Sequence, residues 1–132
     1  MSEKRTIEVT AAVVHCDAGY MICRRSNGLW EFPGGKLEMG ETPDECLIRE
    51  CREELSIRIQ PGRLLDRIRV SVSDDRELEL LFFETEILEG VPRASVHSEI
   101  RFVPESAFPD YEFCEADRIF LERHFEEMRK PI

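Results

Sequence analysis

Residues 34–57 read GGKLEMGETPDECLIRECREELSI, and the meaning of this stretch decides how the rest of the chain is understood. Thr42-Pro43-Asp44-Glu45 is a helix start: Thr caps the free N–H groups, Pro suits the first helical position, and a Glu three residues after the cap closes a capping box. The helix is predicted to run to about Leu55, with Leu47, Ile48, Cys51 and Leu55 as its buried stripe. At about 100° per residue, Glu50, Glu53 and Glu54 then share one sector roughly 100° wide, beside that stripe and near the edge of the core. Like charges at these spacings repel by a few tenths of a kcal/mol per pair. A divalent cation would turn that repulsion into binding. Ahead of the helix, Pro33 biases Phe32 towards an extended conformation, and Gly34 and Gly35 allow backbone approaches that a Cβ would prevent.

Upstream, Thr6 to Val14 is rich in β-branched residues and ends in an apolar run, as a strand covered on both faces would. Asp17-Ala18-Gly19 supplies a turn and Tyr20 to Arg25 returns as a second strand, so the first unit is a hairpin. Its outgoing strand ends in Arg24 and Arg25, either a solvated strand end or one wall of a ligand site. Downstream, Ile57 to Ile59, Arg63 to Val72 and Glu77 to Leu88 read as strands, the last two paired across Ser73–Arg76, and Ile100 to Val103 as a further short strand. Pro104 to Phe108 suggests a helical turn, and Ala116 to about Arg129 a closing amphipathic helix with Ile119, Phe120 and Phe125 inward. Strands and helices mix without regular βαβ alternation. This indicates an α+β layered sandwich, one domain spanning 1–132.

Composition narrows the classes of function. The chain is 42% hydrophobic and 35% charged, as a globular protein is. No apolar run approaches the roughly 20 residues that span a bilayer, and MSEKRTIEVT has no signal-peptide core, so a cytoplasmic protein without a membrane partner is expected. A net charge of −10 argues against a surface that neutralises a nucleic acid polymer. It leaves room for a small polyphosphate carried in with Mg²⁺. The five cysteines are odd in number and lack a Cys-x-x-Cys pair, which disfavours a disulfide framework and a structural zinc site. His15, His97 and His124 form no spaced ligand set and read as structural or surface residues.

The Gly34–Gly35 loop, Glu41 and the helical glutamates together suggest an oxygen-ligand site for Mg²⁺, or for Mn²⁺ as the alternative. The alternating Asp/Asn loop of an EF-hand is absent. With a polyphosphate bound, such a site would neutralise charge at phosphorus and ready a water for in-line attack, one glutamate taking the proton. From the helix alone, a solvated acidic face is the competing reading.

Gly35, five residues, Glu41, seven residues, then Arg49-Glu50-Cys51-Arg52-Glu53-Glu54-Leu55-Ser56-Ile57 resembles the Nudix box of the Nudix hydrolases. Trp30-Glu31-Phe32-Pro33-Gly34-Gly35-Lys36 and the downstream pattern resemble the MutT-like nucleoside triphosphate pyrophosphohydrolase branch. The resemblance implies a Nudix-type α/β/α sandwich with a mixed central sheet. It implies cleavage of a nucleoside triphosphate to monophosphate and pyrophosphate, in the sanitation of 8-oxo-dGTP or CTP-type nucleotides that serves DNA repair. ADP-ribose, a dinucleoside polyphosphate and non-catalytic nucleotide binding are the alternatives.

By the same resemblance, the Gly34 carbonyl, Glu53 and Glu54 would bind metal, Glu50 would be a metal ligand or general base, and Arg49 would orient the glutamates. Glu41 would support the loop. Arg25, Phe32, Gly35 and Lys36 fall in the substrate-binding region, and Asp117 falls where the branch reads the base. Asp117 also reads as a surface or capping acid. Two departures stand out. Ser56 replaces a Gly at a helix end where a left-handed conformation is expected, at a cost on the order of 1 kcal/mol. Val96 occupies the place of a distal glutamate that often completes the metal shell, with Glu99 as its substitute. The assembly expected is a monomer or homodimer.

Overall fold

The strand β1 (Arg5–Cys16) carries the sheet, because both of its edges are paired. The computed structural model describes residues 4–129, so the first three residues of the stretch read as lacking a signal core lie outside the described range. Along one edge β1 runs parallel to β6 (Arg76–Glu89), from Arg5↔Arg76 to Val14↔Thr85. Along the other it meets β4 (Gly34–Lys36) at Val9–Ala11 and then β2 (Gly19–Arg24) at His15–Cys16, both antiparallel. β2 in turn pairs with β3 (Trp30–Glu31) and with β7 (Glu99–Val103), while β5 (Arg58–Ser73) lies outside β6. The result is a seven-stranded mixed sheet.

Strand alternation explains why both faces are covered. Ala11, Val13, Ile22, Leu80 and Phe82 face one side and pack with α2 (Glu115–His124) through Phe120 and Leu121. Ala12, Val14, Met21, Cys23, Leu81 and Phe83 face the other and pack with α1 (Pro43–Leu55) through Leu47, Cys51 and Leu55. The buried apolar end of β1 read in the sequence is therefore a strand between two helical layers. Cys23, Cys46 and Cys51 are buried, Cys16 is exposed, and all five cysteines are free.

The hairpin, β7 and α1 lie where the residue patterns place them. The Gly34–Gly35 stretch, read as a loop, is instead part of β4, because its backbone pairs with Thr10 and Ala11 of β1. Two boundaries also differ. Ile57–Ile59 and Arg63–Val72 fall largely within one long strand, since the register against β6 slips between Pro61 and Leu64, and again between Leu64 and Asp66, without the pairing ending. The closing helix stops at His124. Phe125 is extended (φ −128, ψ 122), and its ring packs against Phe108 and Tyr20, with centroids at 5.0 and 5.4 Å, before a short 3-10 helix over Glu126–Arg129. These ring contacts hold Phe125 where the expected helix would have continued.

Candidate active site

The first wall of the site is α1. Thr42 accepts the Glu45 N–H and Glu45 answers on the Thr42 N–H, a complete capping box. At the other end Ser56 adopts φ 59, ψ 35, the left-handed cap expected from its place in the sequence. Between these ends Arg49, itself only 15% exposed, gathers the acids around it. Its Nε and Nη2 donate to the two oxygens of Glu41 at 2.6 and 3.0 Å, and Nη1 donates to Glu50 at 2.8 Å and to Glu53 at 3.2 Å. Nη2 also reaches the Lys36 carbonyl at 3.2 Å, and Glu38 lies 3.5 Å away. Forked hydrogen bonding of this kind fixes direction as well as charge. It pulls the Glu41 carboxyl down to about 2 and holds Arg49 firmly protonated. Glu41 also accepts the Glu38 N–H at 2.9 Å, which ties the loop back on itself.

The two glycines before this loop are required by contact. A Cβ on Gly34 would strike the Thr10 carbonyl, and one on Gly35 would strike the Glu50 carboxylate. The Gly35 carbonyl accepts from Thr10 Oγ1 at 3.3 Å and Cys46 Sγ at 3.4 Å. Pro33 O takes the Ala12 N–H, and the Leu37 N–H goes to Glu8 O. By the alternation of an antiparallel ladder, the carbonyls of Gly34 and Lys36 therefore turn away from β1. Arg49 meets the Lys36 carbonyl on that side. The Lys36 side chain itself is exposed.

The three helical glutamates differ in setting. The Glu53 side chain is 57% exposed and that of Glu50 16%. Glu54 is half-buried, and its carboxyl is pushed up to about 7, first by loss of water and then by the charge of Glu50, with Glu31 and Glu53 adding and His97 opposing. Three carboxylates that repel one another on a partly dry surface could hold a divalent cation through oxygen ligands.

A second cluster, which the spacing of residues does not announce, lies where β3 meets α2. β3 is locked to the start of α2 by the Trp30 N–H on Glu112 O and the Cys114 N–H on Trp30 O, both at 2.9 Å. This brings Glu31, Cys114 and Asp117 together, each with a ligand atom within 4.8 Å of the others. Asp117, 3% exposed, accepts the Phe32 N–H at 2.9 Å. Its burial, with Glu31 adding, pushes the carboxyl up to about 8, so it is no surface acid. Arg25, largely exposed, lies 3.7 Å from Glu31, and Cys114 is pushed up to about 11 by burial and then by Asp117. Phe32 is 3% exposed with its ring against Phe113 and Phe120, so it offers this cluster chiefly backbone.

The chain between β6 and β7 is tied to both α1 and β2. The Arg93 N–H bonds the Leu55 carbonyl at 2.9 Å, Ser95 Oγ bonds the Glu54 carbonyl at 2.8 Å, and the Ser98 N–H bonds Arg24 O at 2.9 Å. Val96 is 64% exposed, and the Glu99 carboxylate is held by Arg101. His97, read from sequence as one of three scattered histidines, is buried with Nε2 2.9 Å from Glu31.

A family model described as NUDIX domain matches residues 6–132. The chain belongs to the Nudix family. Within that family it is MutT-like. It is 39% identical over 90 residues to the 8-oxo-dGTP diphosphatase of Proteus vulgaris, covering 63% of this chain and 79% of that protein. It is 33% identical over 124 residues to the CTP pyrophosphohydrolase of Escherichia coli K12, covering 89% and 90%. The solution structure of the E. coli ORF135 protein superposes with a TM-score of 0.80 at 30% identity, covering 96% of this chain and 92% of that one. The Nudix fold thus accounts for the mixed sheet between helices. Among the described residues of this Nudix protein, no helix is long and apolar enough to cross a membrane.

Proposed function

We propose that this Nudix protein hydrolyses a nucleoside triphosphate to the monophosphate and pyrophosphate, with 8-oxo-dGTP or a CTP-type nucleotide as its class of substrate. The observation that carries the reading is the carboxylate set on α1: Glu50 and Glu53 held by Arg49, Glu50 packed against Gly35, and half-buried Glu54 beside them. Glu53, Glu54 and the outward-turned carbonyl of Gly34 hold Mg²⁺ or Mn²⁺, with Glu50 as a further ligand or as the base. The desolvated carboxyl of Glu54 and its repulsion by Glu50 fit a cation there. When bound, the cation supplies neutralising charge for the polyphosphate and makes water more acidic.

The chain's own groups do the rest. Arg49 holds Glu50 by one oxygen, which leaves the other free to receive a proton from the attacking water. Arg25, beside Glu31, and the exposed Lys36 are the cations that would meet the nucleotide. Asp117, uncharged near neutral pH, can both donate and accept a hydrogen bond, which is what reading a base edge requires. The named activities of the two relatives support this substrate class.

The test is release of pyrophosphate, against orthophosphate, from a panel of canonical and oxidised nucleotides with Mg²⁺, with ADP-ribose and a dinucleoside polyphosphate included. Pyrophosphate and a nucleoside monophosphate are expected from at least one triphosphate. Nucleotide binding without turnover of any of them overturns the reading.

A further inference from the structure

Among the described residues, His97 is the one with a buried side-chain nitrogen that has no hydrogen-bond partner. Its side chain is 3% exposed, Nε2 sits 2.9 Å from a Glu31 oxygen, and Nδ1 has no hydrogen-bond partner among the described residues. A buried ring nitrogen without a partner is costly, and native proteins rarely retain one without a reason. The arrangement has a recognisable form: a histidine that binds a metal through one nitrogen usually gives the N–H of the other to a carboxylate, which fixes the tautomer and makes the ligating nitrogen more basic.

The surroundings agree with that form. Ser95 and Arg93 tie the loop to the carbonyls of Glu54 and Leu55, so His97 is carried on the same support as the last glutamate of α1. Glu31 and His97 both lie near enough to Glu54 to act on its charge. We propose that His97 is a nitrogen ligand of the divalent cation held by Glu54, with Nε2–H given to Glu31 and the Nδ1 lone pair given to the metal. This rests on the cation-dependent reading above. It makes the centre a mixed oxygen and nitrogen site, and it gives Glu31 the part of a positioning residue.

Pulsed EPR of Mn²⁺ bound to the nucleotide-free protein tests it. Wild type is expected to show nitrogen coupling from a directly bound imidazole, and growth on ¹⁵N-histidine should change that coupling. His97→Gln keeps a donor for Glu31 while removing Nδ1, so the coupling should vanish and Mn²⁺ affinity fall by about 10-fold or more; Glu31→Gln should weaken Mn²⁺ by roughly 10–100-fold. His15→Gln and His124→Gln should leave the spectrum unchanged. Bound Mn²⁺ without histidine nitrogen coupling in wild type overturns the proposal, as does failure to bind Mn²⁺ at all, and the wild-type spectrum decides even where a variant misfolds. Pyrophosphate release measured on the same wild-type sample keeps the two readings apart, since turnover with no nitrogen coupling removes His97 and leaves the hydrolase reading intact.

Discussion

The guanidinium of Arg49 grips the carboxylate of Glu41 at two points, Nε to one oxygen at 2.6 Å and Nη2 to the other at 3.0 Å, while Nη1 is turned to Glu50 and Glu53. One planar cation thereby sets the direction of three acids. Lysine offers a point charge and cannot make the fork. Arg49→Lys should fold, keep most of its melting temperature and lose on the order of 100-fold in kcat, the scale of a misplaced catalytic group. Circular dichroism with steady-state pyrophosphate release checks it; near-normal kcat would mean that the glutamates orient themselves.

Gly34 and Gly35 are adjacent but meet different obstacles, backbone in one case and the Glu50 carboxylate in the other. Gly34→Ala must push β4 off β1 and should cost on the order of 1–3 kcal/mol in a denaturant titration, as overpacking does. Gly35→Ala can be relieved by displacing one side chain. It should cost less stability and more activity, and the opposite order would contradict the packing described.

Glu54 carries a charge that its half-buried site disfavours. Its folded value is raised, so its contribution to stability is greatest below about pH 4.5 and declines as pH rises towards about 7. In metal-free buffer at pH 8, Glu54→Gln should therefore melt no lower than wild type while losing turnover by several orders of magnitude. Added Mg²⁺ should raise the melting temperature of wild type and leave the variant almost unmoved. A variant that melts well below wild type without metal would mean that Glu54 has a structural partner.

Asp117 faces the Phe32 N–H, Glu31, Arg25 and Cys114, and its carboxyl is raised from 3.8 to about 8. Between about pH 4 and 8 the unfolded chain has released this proton and the native protein keeps it. Native stability from this group is thus full below about pH 4 and falls by up to about 1.4 kcal/mol per pH unit through that window. Asp117→Asn retains an acceptor for Phe32 and cannot titrate, so its melting temperature relative to wild type should climb from pH 4 to 8 and level off above. A constant difference would show Asp117 to be ionised in the fold. Asp117→Ala should reorder the preferred bases more than it lowers the rate shared by all of them.

Much of this was legible before any coordinates. The limits of α1 follow from a capping box at Thr42 and a left-handed end at Ser56, and the grouping of its glutamates follows from helical periodicity alone. Local signals of that kind act over a few residues, where sequence distance and spatial distance agree. Glu31 and His97 meet across 66 positions through a loop with no periodicity, so no pattern marks them. Phe125 leaves the helix because of rings at Phe108 and Tyr20, and Phe32 is drawn inward by Phe113 and Phe120, all partners distant in sequence. The acids of the box could be read from residue types; the wall around Asp117 took its depth from tertiary packing.

The loop that carries His97 is fastened by Ser95 to the end of α1 and by Ser98 to the end of β2, which leaves Val96 and His97 as the whole span between its anchors. For a lineage carrying this gene, that span behaves as a ruler. Exchanges at the outward-facing Val96 cost little, whereas a single codon gained or lost between the two serines would turn the imidazole away from Glu31 with the hydrophobic layers untouched. Descendants altered in this way would still fold, and the damage would surface only as a change in the chemistry they perform.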